Sequence, residues 1–168
     1  MAQSAEIPGA VVNDRVVDEF VELTFRLSRL ARHQLQAHLA LYQLTSPQYA
    51  ALRCIERSQN RITVSALAQA AHQVTPTMTG ILNRLEESRL VIRQRSSTDR
   101  RHQLVSLTGL GMALLEQISR DIRERMGALL LELRPEERVI LISTIHNLAN
   151  KFTIAVSPDS REDTGFEE

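Results

Sequence analysis

The chain has 168 residues, enough for one compact domain or a small domain with an oligomerisation arm, and its 43% apolar, tryptophan-free composition calls for an aliphatic, helix-rich core. The formal charge of zero hides a division: positions 43–107 carry nine arginines against four acids, a net of +5, and the rest sums to −5, so attraction to a polyanion is not excluded by the total. Cys54 stands alone, which excludes an intrachain disulfide and favours a reducing compartment; with no leader and no apolar run near 18 residues, a cytoplasmic chain without membrane contact is expected.

Positions 1–12 contain Pro8 and Gly9 and little apolar pattern, and are expected to form a flexible arm. Apolar residues then recur at Val16, Phe20, Leu23, Leu27, Leu30, Ala37 and Leu41, with Gln34 in the one polar slot. Steps alternating four and three predict a helix over 13–41 whose seam packs on another helix. At about 1.5 Å per residue it would be roughly 43 Å long, more than one small domain covers, so part of the seam is expected to meet a second subunit.

Ser46-Pro47 signals a helix start with Ser46 as cap, and that helix carries Tyr49, Leu52, Cys54 and Ile55. Thr63 is expected to cap a short helix with Leu67 and Ala70 inward. Thr75-Pro76 repeats the cap-and-proline signal and opens a third, with Val74, Met78, Ile81 and Leu85 on one face. Stretches 90–94 and 102–107 read as strands around a basic tip at 95–101. Thr108 is expected to cap a long helix through Leu110, Leu114, Ile118, Ile122, Met126 and Leu130. Arg134-Pro135-Glu136-Glu137 opens the last one, with a stripe at Val139, Ile142, Ile145, Ala149 and Phe152. Positions 157–168 hold five acids against Arg161 and read as a disordered acidic tail.

Two short helices joined by a tight turn and followed by a basic hairpin are the sequence form of a winged helix-turn-helix. The expected fold is mainly α with a small β-hairpin wing. Residues 43–108 are expected to form the DNA-binding domain. Thr75, Pro76 and Thr77, at the start of the third helix, suit phosphate oxygens through hydroxyls and free backbone N–H groups. Thr79, Gly80, Asn83 and Arg84 lie off its apolar face, where Asn suits adenine, Arg suits guanine and glycine permits close approach. Arg95, Ser96, Thr98, Asp99, Arg100 and Arg101 are the wing candidates, because a narrow minor groove attracts arginine.

These residues resemble the MarR family of transcriptional regulators over most of the chain, about 12–152. Three stretches carry the likeness: Val74-Thr75-Pro76-Thr77-Met78-Thr79 running into Asn83-Arg84-Leu85-Glu86; Leu90-Val91-Ile92-Arg93 followed by Asp99-Arg100-Arg101; and Leu107-Thr108-Gly109-Leu110-Gly111. The resemblance implies a homodimer formed by the first and the last two helices, with 13–42 and 109–153 as its helical dimerisation region. It implies binding to a pseudo-palindromic operator in double-stranded DNA, with repression the commoner outcome, and release by a small ligand or oxidant. It also implies that Arg101 enters the minor groove, oriented by Asp99. Two positions depart from the pattern. Arg89 stands where glycine is common, so a differently shaped turn or an added phosphate contact is expected. Asn83 stands where an acid is frequent.

Family effectors sit between the dimer helices and the DNA-binding lobe. That implies a ligand site including His38, Tyr42, Tyr49 and Arg53, suited to an aromatic or acidic small molecule. Cys54 is a candidate redox thiol with Arg53 and Arg57 near in sequence; a buried, inert cysteine is the plainer alternative. The five histidines form no pair at metal-ligand spacing, and no nucleophile–base or phosphate-loop constellation is present. Neither a cofactor, a metal nor an enzymatic activity is expected. Two other functions stay open: a cysteine-based redox regulator of the same fold, and a winged-helix dimer acting through a protein partner.

Overall fold

In the computed structural model the described residues are 13–95 and 103–156. They form α1 (Asp14–Ala40), α2 (Ser46–Arg57), β1 (Ile62–Thr63), α3 (Val64–Ala70), α4 (Thr75–Glu87), β2 (Val91–Arg95), β3 (Gln103–Leu107), α5 (Gly109–Leu131) and α6 (Pro135–Val156). Two compact units divide within α5: one runs to Ile118, the other starts at Ser119. The expected arm at 1–12 and the tail at 157–168 lie outside the described residues.

The first unit holds a three-stranded antiparallel sheet in the order β1-β3-β2. Val91 faces Leu107 and Arg93 faces Val105 across the hairpin, and Ile62 faces Val105 on the other edge. The sequence reading had only the hairpin; the third strand is two residues long. Asn60 lengthens this edge. Its carboxamide takes the N–H of Leu107 and gives a hydrogen bond to the Leu107 carbonyl, as a strand backbone would. The core is aliphatic: Leu52, Ile55, Leu67, Met78, Leu82, Leu85, Val91, Val105, Leu115 and Ile118 are fully buried. α1 adds only its last turn, His38 and Leu39, to this core.

Local details correct several expectations. Thr45, not Ser46, caps α2: its N–H reaches Gln48 Oε1 at 2.8 Å, and the Gln48 N–H returns to Thr45 Oγ1 at 3.4 Å. Val74, not Thr75, is the cap residue of α4, so Thr75 is already helical and Val74 is 67% exposed. The buried face of α4 is Met78, Leu82 and Leu85. On α3 the inward partner of Leu67 is Ala68, while Ala70 is exposed. On α5 Leu115, not Leu114, is fully buried, and Leu110 is exposed. Thr63 and Thr108 cap as expected, accepting from the N–H groups of Ala66 and Gly111 at 3.2 and 3.0 Å.

The helices of this unit end alike. After α1, α2, α3 and α4 the chain turns through Gln43, Gln59, His72 and Arg89, each at φ between 50° and 58°. At each turn the next N–H reaches back to a carbonyl five residues earlier: Leu44 to Leu39, Asn60 to Ile55, Gln73 to Ala68 and Leu90 to Leu85, at 2.8 to 3.1 Å. This is the left-handed Schellman closure usually given to glycine. Arg89 therefore takes the glycine shape, not a different one.

In the second unit Arg134 donates to Glu137 Oε1 at 2.8 Å and its backbone N–H to Oε2 at 2.9 Å. The guanidinium, with that N–H behind it, holds the Glu137 carboxyl below the usual carboxylate range. No described side chain of α6 is buried.

Candidate nucleic-acid interface

α3, the turn at 71–74 and α4 form the helix-turn-helix, with His72 at φ 50° closing the first helix. Because Val74 offers no side-chain acceptor, the first-turn N–H groups of α4 are not capped by a side chain. They and the exposed Thr75 and Thr77 form a positive helix end open to an anion. Thr79 donates its hydroxyl to the Thr75 carbonyl at 3.0 Å, which leaves its methyl and oxygen lone pairs for another molecule. Pro76, Gly80, Asn83 and Arg84 are all exposed, on the side of α4 opposite Met78, Leu82 and Leu85. A β-carbon built on Gly80 meets nothing within 4 Å, so packing within the protein does not require glycine there.

Asn83 has a second task. Its Oδ1 accepts from Arg93 Nη2 of β2, so the amide is not free for the two-bond reading of adenine expected of it. Glu86, one turn on, lies 3.2 Å from Arg93 Nε. Arg93 thus ties the wing strand to α4. In the sequence Arg93 stands out only as part of the second family-like stretch; a positive residue on a strand flanking the wing was the available signal. Arg95 is exposed at the end of β2, opposite Gln103. Ser96, Thr98, Asp99, Arg100 and Arg101 lie outside the described residues.

The turn from α4 into β2 is held from α5. Thr108 Oγ1 donates to the Arg89 carbonyl at 2.7 Å while accepting from Gly111 N–H, and the Thr108 N–H donates to the Leu90 carbonyl at 3.0 Å. The third family-like stretch, Leu107 to Gly111, is therefore the clamp that seats the wing.

Of the expected ligand residues, the structure brings His38 and Tyr42 together, rings edge-on with centroids 5.4 Å apart. His38 is buried and neither ring nitrogen has a hydrogen-bond partner. Arg53 turns to Glu56 at 2.6 Å, and Tyr49 is half-buried on α2. Two concavities are lined by other residues. One, of about 480 Å³, is bounded by Glu56, Asn60, Leu107, Met112 and Glu116; another, of about 280 Å³, by Cys54, Arg57, Ser58, Ile62 and Ala70. Cys54 is half-buried. Among the described residues no three His, Cys, Asp or Glu side chains stand together to hold a metal ion, and no helix is long and apolar enough to cross a membrane.

Comparison with known proteins agrees with this geometry. The family model described as MarR family matches residues 44–103, the helix-turn-helix and most of the wing. The HTH-type transcriptional regulator FarR of Neisseria gonorrhoeae is 32% identical over 106 residues, covering 63% of this chain and 72% of that protein. The transcriptional regulator HosA of Escherichia coli O157:H7 is 32% identical over 140 residues, covering 74% and 98%. Among solved structures, a MarR family protein from Bacillus stearothermophilus superposes with a TM-score of 0.76 at 23% identity, over 84% of this chain and 98% of that one.

Proposed function

Since the chain belongs to the MarR family of transcriptional regulators, we propose that it acts as a homodimer that binds a pseudo-palindromic operator, represses from it, and is released by a small ligand. The observation that carries this is α4: an N-terminus without a side-chain cap and an open polar face, with an arginine-bearing strand beside it. In this reading Thr75 and Thr77 meet phosphates, while Gly80 and Arg84 face base edges in the major groove. Arg95, Arg100 and Arg101 serve the wing, Arg101 in the minor groove with Asp99 orienting it. The uncovered apolar side of α1 supports pairing with a second copy. Two subunits would then bind half-sites about one helical turn apart. An aromatic or acidic molecule near His38, Tyr42, Tyr49 and Arg53 that prefers another lobe spacing would lower operator affinity by its differential affinity for the two states.

The test is a selection of genomic fragments by the purified protein, followed by titration of the best fragment and a scrambled duplex across a salt series. Selective binding with a steep salt slope and one dimer per palindrome is expected. Equal, weak binding to both duplexes would overturn the reading in favour of a protein partner.

Gly80 offers a sharper check. Gly80→Ala should raise thermal stability, since alanine is favoured over glycine within a helix by about 1 kcal/mol and the added methyl meets nothing. The same variant should bind the operator about tenfold more weakly if the helix lies close in the groove. A gain in melting temperature with unchanged affinity would remove Gly80 from the interface.

A further inference from the structure

We propose that Arg93 is a positioning residue for DNA recognition: it fixes the wing strand against the recognition helix and masks Glu86 from the phosphates, without itself touching DNA. The inference rests on the DNA-binding reading above. Arg93 lies mid-strand in β2, and its side chain is only 15% exposed, whereas Arg95, two residues on in the same strand, is exposed. Nη2 donates to Asn83 Oδ1. Nε is shielded from solvent and has no aligned hydrogen-bond acceptor, but Glu86 Oε2 is 3.2 Å away, so that contact is ionic. Asn83 and Glu86 are one helical turn apart, and one planar guanidinium spans both. A lysine ammonium is a point charge without this fork.

Two consequences follow from this placement. The wing and α4 reach different grooves, so their mutual angle decides whether both can engage one half-site, and Arg93 links them by a side chain from each element. Glu86 is also an exposed acid on a helix that must approach a polyanion. With the guanidinium beside it the pair is neutral; without it, Glu86 repels phosphates within the screening length of about 10 Å. An arginine that contacts a phosphate releases counterions, so its removal flattens the salt slope by about one. Arg93 is committed inward, so its removal together with the Glu86 charge should weaken binding and leave the slope as it was, whereas its removal alone also exposes the screened repulsion of Glu86.

The experiment measures affinity for the selected operator and for a scrambled duplex, over a salt series, with the wild type, Arg93→Ala, Arg93→Lys and Arg93→Ala/Glu86→Gln. Circular dichroism melts confirm that each is folded at the assay temperature. Arg93→Ala should lose about tenfold or more on the operator and lose less on scrambled DNA, and Arg93→Ala/Glu86→Gln should keep the wild-type slope. Adding Glu86→Gln should return a measurable part of the loss. Arg93→Lys, which keeps the charge and the fold, should still lose selectivity. A slope flattened by about one in Arg93→Ala/Glu86→Gln, with equal losses on both duplexes, would make Arg93 an ordinary phosphate contact and overturn the proposal. So would operator affinity unchanged in folded Arg93→Lys and Arg93→Ala. If the wild type itself shows no selectivity, the DNA-binding reading fails and this inference with it.

Discussion

Gly111→Ala is expected to cost about 3 kcal/mol, the range for forcing a methyl into filled space, and to lower the melting temperature by on the order of 10 °C. A β-carbon at this position would stand 2.2 Å from the Leu90 carbonyl oxygen and 3.1 Å from its carbon. Both atoms are backbone, so no rotamer change relieves the clash. Nor can the turn retreat cheaply. Leu90 closes the Schellman motif of α4 through its N–H to the Leu85 carbonyl, and its own carbonyl takes the Thr108 N–H. α5 would have to lift, and the Thr108 contacts with Gly111, Arg89 and Leu90 would loosen together. Gly109→Ala is the control, since a β-carbon there meets nothing within 4 Å. It should leave the melt close to wild type. A Gly111→Ala melt within a couple of degrees of wild type would show that the approach of α5 to this turn is not tight.

The second large effect is expected on α1. Phe20, Leu23, Leu27 and Leu30 follow the four-and-three seam, and each is between 42% and 66% exposed. Uncovered apolar side chains along one helix mark an interaction surface. Where the proposed homodimer pairs along this seam, Leu23→Asp/Leu27→Asp should convert it to a monomer, because two carboxylates per chain would be buried at the interface. Operator affinity should then fall about a hundredfold or more. Joining two half-site readers raises effective concentration, and the avidity so gained is of order 10² to 10⁴. Light scattering after size exclusion gives the mass, and titration of the palindrome gives the affinity. A variant that remains dimeric and binds as before would exclude the α1 seam as the pairing surface.

Features set by local pattern were legible in the sequence; those set by the meeting of distant segments were not. The α1 helix, the hairpin strands and the caps Thr63 and Thr108 are local and legible in the sequence. The α2 cap was placed one residue late because Thr45 and Ser46 both qualify. Gln48 decides it, standing three residues after Thr45, where it closes the capping box. The third strand was missed because two residues carry no periodicity; its pairing with β3 comes from a segment more than forty residues away. The same holds for the link from Arg93 to Asn83 and Glu86. Nothing in the local pattern pairs Arg93 with Asn83 and Glu86, because the pairing joins β2 to α4 across the α4–β2 turn.

The left-handed helix ends bear on how much change this lobe can absorb. A non-glycine residue held at positive φ costs roughly 1 kcal/mol, after allowing for glycine's own entropy. Gln43, Gln59, His72 and Arg89 together forgo about 4 kcal/mol, against a typical folding margin of about 5–15 kcal/mol. That is a reserve one substitution away at each position. In the Gly111→Ala background, Gln43→Gly or Gln59→Gly should return part of the lost melting temperature, a suppression with no contact between the two sites. Such reversible slack would let harmful but useful changes on α4 persist long enough to be refined. The range of changes that α4 can absorb is thus governed partly by the ends of other helices.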